Sequence, residues 1–280
     1  MSNLHKLFYK DYYKCEVEIE EDRNGKKHKV SKKVSYHFLT DESNSKKIQG
    51  HNNKILNHPD GVNKSLINAT LEPIPNEVCV WDDKTNSFSL KTLYPGLITG
   101  VGIDHEAGVE GEFKLGIHFD YTYGMPVIYG SSVKGVLKTY FKDFAKDFDN
   151  SFIEDELKEF EKDIFEGKNH DKNSSGNKKP IYCRDIFFDA IIAGENEKGK
   201  ILDSDTLCPH NENPLKNPNP ISFLKIASGV IIQFRFKLVD SKIGNKEIKV
   251  IDKLAIFENI LTTVGIGAKT NVGYGQFTKI

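Results

Sequence analysis

Apolar and polar residues along this chain repeat with two periods, one of two and one near 3.6, and the two patterns are interleaved. After a short aromatic stretch expected to be a helix or turn, Cys15, Val17 and Ile19 alternate with Glu16, Glu18 and Glu20. Asn24-Gly25 then supplies a turn, and a return strand is expected around 34–39. Residues 41–65 are polar and Asn-rich, which reads as loop with one helix at most. A strand-like pattern covers 78–97. Gly96, Gly100, Gly102, Gly108 and Gly111 then mark a flexible connection to a second strand expected over 113–123. The first strong helix opens at Tyr129-Gly130-Ser131-Ser132, where either serine can cap it. Its expected apolar stripe is Val133, Leu137, Tyr140, Phe141, Phe144 and Phe148, while Lys134, Lys138, Lys142 and Lys146 share another face. A second amphipathic helix is expected over about 152–165, burying Ile153, Leu157, Phe160 and Ile164. Strand-like runs follow at 181–193, 221–228 and 230–239, with Ser228-Gly229 as the turn between the last two. A helix over about 247–264 uses Ile251, Leu254, Phe257, Leu261 and Val264, and a short strand, 274–279, ends the chain.

Strands in antiparallel hairpins interleaved with helices argue for an α+β fold: a ferredoxin-like (RRM-like) antiparallel sheet with helices on one face. The 280 residues read as one protein, with an N-terminal, hairpin-bearing elaboration over 1–90. The core spans 91–280 and carries a flexible basic loop at 167–180 and a Gly-rich loop at 265–275. With 38% hydrophobic and 11% aromatic residues and a formal net charge of −1, the chain can build a core and is not disordered throughout. No run approaches the roughly 18 apolar residues of a membrane span, and the N-terminus has no apolar signal region. Cys15, Cys79, Cys183 and Cys208 are far apart, with no CxxC pair, and read as reduced thiols of a cytoplasmic protein.

The near-zero net charge conceals segregated blocks. Residues 23–33 hold six cations and no acid, and 147–166 hold nine acids against Lys158 and Lys162. Such blocks are solvated faces, or they offer a basic surface to a polyanion and an acidic one to a protein neighbour. The only arginines are Arg23, Arg184 and Arg235, so phosphate contacts fall mainly to lysine. Lysine cannot fork bidentately, which favours backbone binding over base readout.

Two segments can carry chemistry. Gly265-Ile-Gly-Ala-Lys-Thr-Asn-Val-Gly-Tyr-Gly275 places four glycines among Lys269, Thr270 and Asn271. It is either a structural turn or a cradle whose backbone N–H groups meet phosphates. Because it follows a helix and leads into a strand, it is neither a P-loop nor a dinucleotide fingerprint. Gly130-Ser131-Ser132-Val133-Lys134-Gly135 sets two hydroxyls and a helix N-terminus beside a lysine, so it is a Ser-capped helix start or an anion site.

Together these segments resemble the RAMP superfamily of CRISPR RNA-binding proteins. The resemblance extends to Asn3-Leu4 with Leu7 to Tyr13, the run Gly116 to Pro126, Asp185-Ile-Phe-Phe-Asp189-Ala190, Asp205 to His210, and Asn219-Pro220 with Phe223-Leu224. In combination these are similar to the family of sixth subunits of type III-B (Cmr) CRISPR effector complexes. The resemblance implies a RAMP fold that caps the backbone filament near the 3′ end of a guide RNA and, through that RNA, meets target RNA. Its implied neighbours are the repeating backbone subunit, the small helical subunit and another RAMP subunit, with no cofactor and no metal. Carried over, Ser131, Ser132, Lys134, Lys269, Thr270, Asn271 and Tyr274 are the expected RNA contacts, with Tyr274 stacking on a base and Lys138 a further contact. Gly265, Gly267, Gly273 and Gly275 shape the loop.

RAMP relatives include metal-independent guide-processing ribonucleases, which need a general base. His105 is the first candidate, with His5 and His210 as other options, and Asp104 and Asp120 are the conceivable loop acids. No spacing pairs a base with an acid, so a non-catalytic protein is expected. A stand-alone endoribonuclease and a protein–protein scaffold, its acidic helix meeting a basic neighbour, are the alternatives. Asp203, Asp205, Cys208 and His210 are all metal-ligand types, but no second cluster completes a shell, and a turn with a structural histidine is the preferred reading.

Overall fold

The computed structural model describes residues 4, 14–23, 26–35, 59–71, 86–100, 113, 117–168, 178–208 and 220–280. The elements ahead of the core are β1 (Lys14–Arg23), β2 (Lys26–Ser35) and α1 (Pro59–Ile67). The first half of the core contains β3 (Asn86–Thr92), β4 (Val127–Ile128), α2 (Gly130–Phe148), α3 (Glu154–Glu166), β5 (Ile186–Phe187) and β6 (Ala190–Gly194). Next come β7 (Leu202–Leu207), β8 (Ile221–Ile226), β9 (Ile231–Lys237), β10 (Ser241–Ile243) and β11 (Lys246–Ile248). The chain closes with α4 (Val250–Val264) and β12 (Phe277–Lys279).

The main sheet runs β12-β3-β9-β6-β4, with every neighbour antiparallel and β5 also paired to β9. In chain order, β3, α2, β6, β9, α4 and β12 make the ferredoxin-like unit, because β9 enters between β3 and β6 while β12 adds outside β3. Register follows the apolar alternation: Phe88 pairs with Phe234 and Leu90 with Ile232. The core between sheet and helices is aromatic. The Phe257 ring lies 5.4 Å from Phe236, 5.8 Å from Phe187 and 6.5 Å from Phe141.

Helix α2 buries Val133, Leu137, Phe141 and Ala145, four residues apart, whereas Tyr140 and Phe148 are exposed. In α3 the expected Leu157, Phe160 and Ile164 are buried, but Ile153 precedes the first turn and points to solvent. The inward face of α4 is Lys253, Ile256, Phe257, Ile260 and Leu261, and Ile251 is 68% exposed. The expected stripe is rotated because Lys253 is fully buried, its Nζ 2.6 Å from Asp185 Oδ2 and 2.7 Å from the Val239 carbonyl.

Two expected strands and one expected helix change. The return strand of the first hairpin starts at Lys26, directly after Asn24-Gly25, and register sets Glu16, Glu20 and Asp22 across from Lys33, Lys29 and Lys27. Lys27, Lys29 and Lys33 of the basic run therefore lie on β2 opposite acidic positions. The described part of 113–123 holds no strand beyond a single bridge, Phe119 to Pro126. Asp120 Oδ1 instead accepts the Thr122 and Tyr123 N–H groups at 2.8 and 2.7 Å, closing a turn. The helix expected from 247 begins at Val250, because residues 241–248 form the β10–β11 hairpin and Asp240 Oδ1 takes the Val250 N–H at 2.9 Å.

Candidate nucleic-acid interface

The Gly-rich loop is locked onto the segment following β3. Ile266 N–H donates to the Gly275 carbonyl at 2.9 Å, Ala268 N–H to Ile98 at 3.0 Å, and Gly275 N–H to Gly96 at 2.8 Å. Glycine is obligatory at 275: its φ is +69°, and a Cβ would stand 1.8 Å from the Ile266 carbonyl oxygen. At Gly267, with φ +98°, a Cβ would meet the Ile98 oxygen at 2.4 Å. The N–H groups of Gly265, Ile266, Ala268, Val272, Gly273 and Gly275 all donate to protein carbonyls. The expected cradle of free N–H groups is thus largely consumed by the fold. What the loop presents is side chains: Lys269 and Asn271 are exposed and Thr270 half-buried. Lys269 is the one non-glycine with positive φ, +60°, among the described residues, a conformation that lysine adopts only under tertiary constraint.

Tyr274 does not present a free face for a base. It is 7% exposed, its ring packs 6.0 Å from Phe223, and its hydroxyl donates to Asp205 Oδ2 at 2.8 Å. Burial and this hydrogen bond push the phenol far above its ordinary pKa. Asp205 also accepts from Lys225 Nζ at 2.7 Å. Burial raises its carboxyl, but the bonds from Lys225 and Tyr274 outweigh that and hold it below the ordinary range. The aromatic displayed beside the loop is Tyr94, 83% exposed. It sits in the turn 93–96, whose Leu93 N–H donates to the Gln276 carbonyl at 2.8 Å. Sequence reading missed Tyr94 because nothing before folding places it next to residue 274.

At the second segment, Tyr129 occupies the cap position of α2 and makes no side-chain cap, so neither serine caps the helix. The N–H groups of Ser132 and Val133 donate to the Tyr129 carbonyl at 2.8 and 3.1 Å, and Gly130 N–H donates to Asp189 Oδ1 at 2.6 Å. Gly130 allows this approach: a Cβ there would lie 2.5 Å from the Phe187 oxygen. Asp189 is itself fixed through its carbonyl, which accepts Arg235 Nη2 at 2.8 Å. A carboxylate already occupies the positive end of the helix, so anion attraction passes to Lys134. Ser131 and Ser132 remain exposed.

The lysine row of α2 is divided. Lys138 pairs with Glu166 at 3.4 Å and Lys142 with Glu161 at 2.9 Å, taking up acids of the expected acidic face of α3. Lys134 instead lies 5.6 Å above the Phe187 ring and lines a cleft with Arg184. Burial lowers its pKa, Lys138 adds to that, and Glu166 opposes it.

The intervening chain links the two segments. Ile98 holds the Gly-rich loop, the adjacent Thr99 Oγ1 accepts the His118 N–H at 3.1 Å, and the His118 ring lies 4.7 Å from Tyr129. Burial pushes the His118 imidazole below its ordinary pKa. His5, Asp104, His105 and His210 lie outside the described residues, as do 169–177 of the basic loop. Asp203 and Asp205 lie on β7 facing Lys225, at 3.9 and 2.7 Å, which is an ion-pair arrangement and no turn. Among the described residues no group of three or more His, Cys, Asp or Glu could hold a metal ion. No helix among them is long and apolar enough to cross a membrane.

A family model described as the RAMP superfamily matches residues 89–278. A chain in the cryo-EM structure of the type III-B Cmr-beta bound to cognate target RNA is 18% identical, covering 86% of this chain and 85% of its own, with a TM-score of 0.50. Cmr6 from Pyrococcus furiosus is 20% identical, covering 71% of this chain and 100% of its own, with a TM-score of 0.37. A chain of the type III-B Cmr-beta in its apo state is 12% identical, covering 69% and 95%, with a TM-score of 0.42. No curated protein matches the chain.

Proposed function

This chain belongs to the RAMP superfamily, and on that premise we propose that it is a guide-RNA-binding subunit of a type III-B CRISPR effector complex. Its place is that of the sixth subunit, capping the backbone filament near the 3′ end of the guide. Its neighbours there are the backbone RAMP subunit, the small helical subunit and another RAMP subunit, and it meets target RNA through the guide. The observation that carries this reading is the Gly-rich loop, bolted by its backbone to 96–98 and turning Lys269 and Asn271 to solvent beside the exposed Tyr94. A cation, an amide and an open aromatic face are what a single strand requires for its phosphates and bases. Lys134, Ser131 and Ser132 extend the contact along the start of α2, with Thr270 and Lys138 at its margins. Tyr274 serves the site by holding the loop against β7.

The role is non-catalytic: the chain contributes binding and no cleavage. The experiment replaces Lys269 and Lys134 with Ala in the reconstituted complex and measures guide retention and protection of the guide's 3′ end. Both fall if the loop and helix start hold RNA. Unchanged retention and protection overturn the assignment. RNA cleavage by the purified chain, abolished by His105→Ala or His118→Ala without loss of assembly, would replace it with the endoribonuclease.

A further inference from the structure

Where α3 ends, a cleft of about 490 Å³ opens against the start of α2, lined by Lys134, Glu166, Lys168, Lys178 and Arg184. A second hollow of about 270 Å³ continues it past Ser131 to Ile181 and shares Lys134 and Arg184. The acids that line it are already engaged. Glu166 is held by Lys168 at 2.5 Å and Lys138 at 3.4 Å, and Asp185 is held by buried Lys253 at 2.6 Å. The positive excess therefore rests on Lys134, Lys178 and Arg184.

Arg184 is pre-positioned. Its stem crosses Gly167, where φ is +60° and a Cβ would lie 2.5 Å from Arg184 Cδ, so only glycine lets the arginine lie there. Its Nε donates to the Lys179 carbonyl, and Lys179 in turn pairs with buried Asp163. A guanidinium fixed in this way loses little freedom on meeting a ligand. Ile181 lines the second hollow, and it and the adjacent Tyr182 are 71% and 69% exposed. Cations beside an open aromatic face suit a single-stranded nucleic acid, whereas an acidic peptide would be met by the cations alone.

We propose that this cleft holds the sugar–phosphate backbone of single-stranded RNA, with Lys134, Lys178 and Arg184 taking phosphates and Tyr182 stacking on a base. The inference rests on the RNA-binding reading above and adds a second wall to the Lys134 site.

The test is fluorescence anisotropy of the full chain, and of the complex that contains it, with a labelled single-stranded RNA over a range of salt concentrations. Each phosphate contact contributes about 0.7 to the slope of log affinity against log salt. The double variant Lys178→Ala/Arg184→Gln is expected to flatten the slope by about 1.4. Gln retains much of the stem over Gly167, and Lys178 is exposed, so an unchanged melting temperature identifies a folded variant. Tyr182→Ala is expected to weaken binding about five-fold or more with the slope intact. If wild type binds RNA and Lys269→Ala weakens it while all cleft variants bind as wild type does, the cleft is no RNA site and only this inference falls. Loss of a neighbouring subunit with RNA affinity unchanged would likewise overturn it in favour of an acidic protein partner. A wild-type chain that binds no RNA, free or assembled, defeats the RNA-binding reading itself.

Discussion

The phenol of Tyr274 donates to Asp205 Oδ2 at 2.8 Å across 69 positions of sequence, fastening the Gly-rich loop to strand β7. The same oxygen accepts Lys225 Nζ at 2.7 Å. Two donors on one carboxylate oxygen make this a structural clasp, and they explain why the tyrosine of the Gly-rich loop is turned inward.

Removing the clasp tests that role. Tyr274→Phe keeps the ring against Phe223 but strips one bond from Asp205, and it should lower stability by about 1–2 kcal/mol. Thermal unfolding measures this, with RNA affinity falling only through loosening of the loop.

Tyr94→Ala should behave in the opposite way. Its side chain is 83% exposed, so the melting temperature should hold while affinity for single-stranded RNA drops by about 1–3 kcal/mol. Equal RNA binding by Tyr94→Ala and wild type would remove Tyr94 from the interface.

The clasp also sets a dependence on pH. Asp205 is held below the ordinary carboxylate range, so the native state prefers its ionised form. That contribution is fully present above the unfolded carboxyl value near 4 and is lost as pH falls below it through the depressed native value. In acid titrations followed by thermal unfolding, Asp205→Asn should be less stable at neutral pH and should approach wild type below about pH 4.

Backbone geometry gives a further test. Gly275→Ala forces a Cβ onto the Ile266 oxygen at positive φ, so the loop must leave its site. Strain on the order of 1–3 kcal/mol is expected, with a parallel loss of RNA binding. Gly135→Ala, where a Cβ meets nothing within 4 Å, is the control and should be neutral or slightly stabilising.

The Lys253–Asp185 pair is expected to obey the rule for buried charges. Burial raises the Asp185 carboxyl and lowers the Lys253 ammonium, each opposed by its partner. Lys253→Met alone leaves a carboxylate buried and unpaired, a loss of about 3–5 kcal/mol. Adding Asp185→Leu should recover part of it, and denaturant unfolding of the two variants reads the difference. Asp185→Leu alone completes the cycle, and single losses that simply add to the double loss would show that the pair is not coupled.

The elements that sequence reading located well are those with a strong local period. The Val133-Leu137-Phe141 stripe, Leu157-Phe160-Ile164 and the strands around 221–237 follow from side-chain spacing, which a helix or strand imposes within a few residues. Positions were misjudged where a partner far along the chain decides. Ile251 reads as core and Lys253 has no place in the apolar stripe until Asp185, 68 residues earlier in sequence, draws the lysine inward. Ser131 reads as a cap until Asp189 takes the Gly130 N–H from 59 residues away.

The α+β class, the Gly-rich loop, the lysine-bearing helix start and the resemblance to RAMP proteins are all legible from residue order, because local propensity and motif chemistry need no knowledge of distant neighbours. Which aromatic faces solvent and which lysine remains available are settled by packing. Packing also settles where backbone N–H groups are consumed. Each of these depends on long-range hydrogen bonds and burial, which exist only once Gly96, Asp189, Asp205 and Asp185 have been brought to their partners.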